Sequence, residues 1–167
     1  MVDDGQQMLQ RAIEAMSGPP VAVVAQTIQL PPRLPAICFT SAARDYRLPE
    51  LVLVAMVVAE SGGRSVVSRN RDGSWDVGVA QHNSRSWVPY LSRRYGVTAG
   101  DLMEPCQSIR AQAYVLRKEY NHRACMNQSI WCGVGRYHAP HAQANAAVYV
   151  DRVQAALRGL LSTGRFE

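Results

Sequence analysis

Residues Leu51–Gly63 read LVLVAMVVAESGG. Nine apolar residues run straight into a carboxylate, Glu60, and after Ser61 the chain meets two glycines. A helix that is apolar nearly all round must be buried on every side. Pro49 suits its start, where the missing N–H costs nothing, and Gly62 and Gly63 suit its end. The stretch therefore predicts a central helix from Pro49 to about Ser61 that delivers Glu60 at its C-terminus. Burial raises the pKa of such an acid. The negative end of the helix dipole disfavours its charge further. Both effects hold a carboxylic acid protonated near neutral pH, the condition for a general acid. The competing reading is a glutamate that merely surfaces where a core helix ends.

The chain around this helix is long enough for one domain with a real core: 167 residues, 47% hydrophobic and 19% charged. Residues 6–16 predict a short helix with Met8, Leu9, Ala12, Ile13 and Met16 on one face, and Gly18–Pro35, with five prolines, an extended linker. The expected division is an N-terminal helix and Pro-rich linker over 1–35 and a compact domain over 36–167. A short helix is expected from Cys38 to Tyr46. Val66 and Val67, the turn signal RDG at 71–73 and the alternation of Trp75, Asp76 and Val77 predict a small β-hairpin or short sheet. Ser84 or Ser86 then caps a helix through WVPYLSRRYG, with Pro89 in its first turn. Further helices are expected from Pro105 to about Tyr120, over 127–138 and over 142–161. The fold class is α+β and mostly helical.

The net charge of +5 is almost all arginine, Lys118 being the one lysine, and it is spread along the chain. It suits an anionic partner, but without a dense cluster nucleic acid is not expected. No stretch approaches the ~20 apolar residues of a membrane span. Cys38, Cys106, Cys125 and Cys132 form no C-x-x-C pair, and the histidines His82, His122 and His141 have no metal-ligand spacing, so neither a metal nor a cofactor is expected. Four cysteines fit two disulfides in three connectivities, or four buried thiols. Cys125 and Cys132 can close a local loop, which would leave Cys38 with Cys106. Disulfides would place the protein outside the reducing cytosol. The start, MVDDGQQMLQ, is acidic where an export signal needs positive charge, and VAVVA at 21–25 is too short for its apolar region. A periplasmic or envelope location is expected, with no clear signal peptide in this sequence.

Several motifs carry a resemblance. ESGGRSVVSRN (60–70) resembles the first motif of lytic transglycosylases and goose-type lysozymes, in which a serine follows the catalytic glutamate. DVGVAQHNS (76–84) is similar to their second motif. GRYHAP (135–140) stands where that family commonly has Ala-Tyr-Asn-Ala-Gly. The stretches 35–63 and 102–120 match, in order and spacing, the small specialised lytic transglycosylases that accompany secretion and conjugation machines. Cys38 and Cys106 fall where that group tends to carry a pair. The resemblance covers roughly residues 36–160.

The resemblance implies a lysozyme-like fold and cleavage of peptidoglycan between MurNAc and GlcNAc, with a 1,6-anhydro product. Glu60 is then the catalytic acid. Ser61 orients neighbours or contacts substrate, Gln81 helps to form the sugar cleft, and Tyr137 positions the acid or the substrate. His138 replaces the usual Asn and Pro140 the usual Gly, and His138 is given no chemical role. Asp76 also matches the second carboxylate of chicken-type lysozymes, so a hydrolytic muramidase using Glu60 and Asp76 is one alternative. A non-catalytic peptidoglycan-binding scaffold is the other. Trp75, Trp87 and Trp131 are candidates for stacking on sugars, with core packing favoured for Trp131. Arg64, Arg69 and Arg71 are candidates for meeting peptide-stem carboxylates, although each alone reads more simply as surface charge. The partner implied beyond peptidoglycan is an envelope-spanning secretion, conjugation or pilus machine.

Overall fold

The structure is a computed structural model that describes residues 28–166. The helix expected over 6–16 and the first part of the linker, 18–27, lie outside the described residues. Among the described residues there are six α-helices and one small sheet: α1 Ala36–Tyr46, α2 Glu50–Ser61, α3 Trp87–Tyr95, α4 Pro105–Tyr120, α5 Ile130–His138 and α6 Gln143–Thr163. The sheet lies between α2 and α3 in the chain and has strands β1 Val67–Arg69, β2 Trp75–Val77 and β3 His82–Asn83. It is antiparallel in the order β1-β2-β3. Val67 pairs with Val77 and Asp76 with Asn83, so the hairpin expected from the RDG turn gains a third strand. The fold is α+β and lysozyme-like, mostly helical.

Helix α2 is the centre of the molecule. Residues Val52 to Val57 are fully buried, as a helix without a polar face requires. It packs chiefly on α6 and is flanked by α1 and α4, while α5 bridges α4 and α6. Gly62 ends it in the left-handed region (φ 60°), its N–H bonded to the Val58 carbonyl. A second, smaller apolar cluster of Val77, Val88, Leu91 and Leu102 seats the sheet against α3 and the turn at 101–103.

The helix ends follow local chemistry. The Glu104 side chain accepts from the N–H groups of Cys106 and Gln107 at the start of α4, which satisfies donors that a helix N-terminus leaves free. Ser86 occupies the cap position of α3, as expected, but its hydroxyl makes no cap bond. Residues 28–35 do not run free of the domain, although five prolines from Gly18 onward read as a linker. Ile28 and Leu34 are buried in the main core, and Gln29 pairs through its backbone with Gly164 and Phe166. Prolines fix an extended path, but apolar side chains at 28 and 34 still have a core to enter.

The cysteines form two disulfides, Cys38–Cys106 and Cys125–Cys132. The first ties α1 to α4 across 68 positions of sequence and the second closes a segment of 7. Chain-entropy arguments assign about 4 kcal/mol to the long loop and roughly 2 kcal/mol to the short one. Accordingly, the double variant Cys38→Ser/Cys106→Ser is expected to lose about twice the unfolding free energy lost by Cys125→Ser/Cys132→Ser, measured by urea denaturation under oxidising conditions.

Candidate active site

The end of α2, the sheet and the end of α5 enclose a cleft of about 400 Å³. Glu60, Asp76, Gln81 and Tyr137 all line it, and so do His138 and Pro140 at the end of α5. Ser61 stands behind them. It is buried, and its Oγ donates to the Val79 carbonyl at 2.7 Å, tying the end of α2 to the segment after β2.

That segment is the floor of the cleft. Gly78 (φ 79°) could not carry a side chain, because a Cβ would lie 2.0 Å from the Leu102 carbonyl oxygen and 2.8 Å from Ser108 Oγ. The same Ser108 hydroxyl accepts from the Ala80 N–H at 3.1 Å. The Ala80 carbonyl in turn accepts from the Tyr137 hydroxyl at 3.3 Å. Gln81 takes a left-handed backbone (φ 52°), and its Nε2 donates to Gly78 O at 2.8 Å and Val66 O at 3.1 Å. Gln81 thus closes the turn from within while its side chain borders the cleft.

His82 is buried in the wall of the cleft. Its Nε2 donates to the Ser108 carbonyl at 3.0 Å, and burial pushes its pKa down to about 4, so it stays neutral at ordinary pH. Among the described residues no group of three or more His, Cys, Asp or Glu side chains converges as a metal site requires.

Burial pushes the Glu60 carboxyl up to about 7. Tyr149 and Arg152 pull in the other direction and the charge of Asp76 adds to the rise, but loss of water dominates. Tyr149 was not legible as a site residue. It is fully buried in α6, and the His138 ring stacks on it at 4.5 Å, with 8° between planes. Its hydroxyl acts on the Glu60 carboxyl and favours the ionised form. Arg152, exposed one turn further along α6, lies over the Tyr149 ring at 5.3 Å.

Asp76 is held by two asparagines that the sequence did not single out. Asn70 Nδ2 donates to one carboxylate oxygen at 2.9 Å and Asn83 Nδ2 to the other at 2.8 Å. Asn83 is the partner of Asp76 across the β2–β3 ladder, and Asn70 lies just past β1, before the turn. Of the tryptophans, Trp87 lines the cleft, Trp131 packs against the main core, and Trp75 is exposed on β2 away from the lining. Arg64, Arg69 and Arg71 are exposed and outside the lining. Arg64 donates to the Ser61 carbonyl at 3.2 Å.

With this geometry in place, comparison with known families is decisive. The Transglycosylase SLT domain matches residues 37–152, most of the chain. The chain belongs to that family. No curated protein and no solved structure gives a significant match. As an SLT domain it is a lytic transglycosylase acting on peptidoglycan. The match spans the whole cleft, from α1 through Tyr149 and Arg152.

The raised pKa of Glu60 has a cost in stability at high pH. Its protonated form is favoured in the folded state, so stability is unpenalised below about pH 4.5 and falls as pH rises through about 7. Glu60→Gln, which cannot ionise, is expected to match wild type in unfolding free energy near pH 4. At pH 8 it should exceed wild type by roughly 3 kcal/mol, as read by denaturant titration at the two pH values. At the floor, Gly78→Ala forces a carbonyl to move and is expected to lower both stability and lytic rate.

Proposed function

We propose that this SLT domain cleaves the β-1,4 bond between MurNAc and GlcNAc by intramolecular transglycosylation, with Glu60 acting first as acid and then as base. The observation that supports this most is the placement of the half-buried Glu60 at the end of α2, lining one cleft with Asp76, Gln81 and Tyr137, where burial pushes its carboxyl up to about 7. A group with that pKa is available in both protonation states at neutral pH, as a one-residue cycle needs.

In the first step the Glu60 proton passes to the glycosidic oxygen, and the bond from that oxygen to C1 of MurNAc breaks. C1 is left with oxocarbenium character. In the second step the Glu60 carboxylate takes the proton of the MurNAc 6-hydroxyl while O6 bonds to C1. The product is 1,6-anhydro-MurNAc, Glu60 regains its proton, and no water is consumed. The Tyr149 hydroxyl serves the interval between the steps, when Glu60 is charged and a donor is worth most. Tyr137 and Gln81 hold the floor against which the sugar rests, and Trp87 offers an aromatic face to a pyranose ring.

A specific observation favours a second reading. Asp76 faces the same cleft with both oxygens fixed by amide donors. A carboxylate so held can stabilise positive charge at C1 or bond to it, which is the arrangement of a retaining hydrolase.

The two disulfides suit an oxidising compartment. Among the described residues no helix is long and apolar enough to cross a membrane. A periplasmic enzyme that opens the wall locally for a secretion, conjugation or pilus machine fits these features and the resemblance of the motifs.

Purified protein on isolated sacculi, with released muropeptides weighed, tests both chemistries. Anhydro products, lighter than hydrolysed ones by one water, are expected. Glu60→Gln should lower release at least 100-fold, and Asp76→Asn should lower it less than about 10-fold while the anhydro ends persist. Products carrying the added water, with Asp76→Asn as damaging as Glu60→Gln, would establish the hydrolase instead. Protein that pellets with sacculi and releases nothing would be a binding scaffold. For wild type, the rate should fall as pH rises through about 7, because the acid form of Glu60 is lost.

A further inference from the structure

The turn that follows Glu60 is gripped from behind. Arg33 lies outside the cleft, in the segment that precedes α1. Its Nε donates to the Gly63 carbonyl at 2.8 Å and its second guanidinium nitrogen to the Gly62 carbonyl at 3.3 Å. These carbonyls stand just past the end of α2, where a helix leaves acceptors unpaired and where positive charge is favoured. Leu34, the next residue, presses on Gly63 so closely that a Cβ there would lie 2.7 Å from Leu34 Cδ1 and 2.7 Å from the Phe166 ring. Gly63 is buried with φ 72°, so this fit depends on the absence of a side chain.

The strap itself is anchored. Ile28 and Leu34 are buried, the Leu34 N–H bonds to the Pro31 carbonyl, and Gln29 donates to Gly164 O at 2.7 Å and accepts from the Phe166 N–H at 3.3 Å. On the cleft side Ser61 is bonded to Val79. The three residues after Glu60 are therefore held between a cleft-side bond at Ser61 and a guanidinium fork at Gly62 and Gly63. Arg33 is not among the charges that act on the Glu60 carboxyl. Any influence it has must pass through the backbone.

We propose that Arg33 is a positioning residue for catalysis: by clamping the Gly62 and Gly63 carbonyls it fixes the last turn of α2 and so the direction in which Glu60 enters the cleft. This rests on Glu60 being the acid. A displacement of about 1 Å in a catalytic group can cost on the order of 100-fold in rate. A rigid shell behind the acid is what prevents it. Lysine could not replace the arginine fully, since its single ammonium does not offer a planar pair of donors to two adjacent carbonyls.

Two readouts on Arg33→Ala test the proposal. On soluble glycan strands, kcat is expected to fall about 10-fold or more while KM stays within about 2-fold, since the sugar-binding walls are untouched. In a carbon-detected NMR titration, with Glu60 assigned by its absence in Glu60→Gln, the midpoint of Glu60 is expected to drop from about 7 as the freed carboxyl gains water. Folded Arg33→Ala with the wild-type kcat and midpoint would overturn the proposal and leave Arg33 a stabilising contact only. Should Arg33→Ala not fold, Arg33→Lys carries the test: it should show both effects in weaker form, and wild-type values for both would be equally fatal. If wild type itself releases no fragments, the reading of Glu60 as the acid fails. The NMR midpoint then still decides whether Arg33 places that side chain.

Discussion

One constraint organises this molecule: a carboxyl group must be partly withdrawn from water at the end of a helix that has no polar face. Helix α2 provides this because Val52 to Val57 are sealed on every side. The remaining helices are the seal. Helix α6 covers one flank and brings Tyr149 with it, α1 and α4 cover the others, and the Cys38–Cys106 bridge ties those two together. The desolvation that raises the Glu60 pKa is therefore a property of the whole core. It would be weakened by any change that let the helices part.

The cleft floor shows a related economy of parts. Ser108, on α4, receives the Ala80 N–H through its hydroxyl and the His82 ring N–H through its carbonyl. Tyr137, from α5, closes on the Ala80 carbonyl. Two separate elements thus meet on the short stretch from Gly78 to His82, and each buried backbone or ring donor named here has an acceptor. Buried networks of this kind fix geometry when fully satisfied.

Much of this was legible in the sequence, for physical reasons. The run from Leu51 to Ala59 could only be a buried helix, and glycines at 62 and 63 could only end it. Pro105 and the stripe of Ile109, Ala113 and Leu116 marked α4. Glu60, Asp76, Gln81 and Tyr137 were singled out because they sit in short motifs at familiar spacing, and the structure gathers all four at one cleft. What escaped did so because its signal is not local. Tyr149 reads as an ordinary aromatic on the apolar face of α6, and nothing nearby in sequence points it at Glu60. Asn70 and Asn83 lie beside turn and strand ends, where asparagine needs no explanation. Arg33 was hidden by the prolines around it, which suggested a linker, although Ile28 and Leu34 were available to anchor the strand.

The pairing of Gln29 with Gly164 and Phe166 brings the two ends of the described chain side by side. The described unit is thus entered and left at a single point, on the side that backs the Gly62–Gly63 turn. Such a layout lends itself to transplantation. A loop of a larger protein could be opened to receive residues 28–166 as a cassette, and a short bridge across that point should permit new termini elsewhere on the surface. It also sets a path for mechanical load: a pull on the chain ahead of Ile28 would reach the Gly62–Gly63 bend through Arg33 and Leu34 before it disturbed the walls of the cleft.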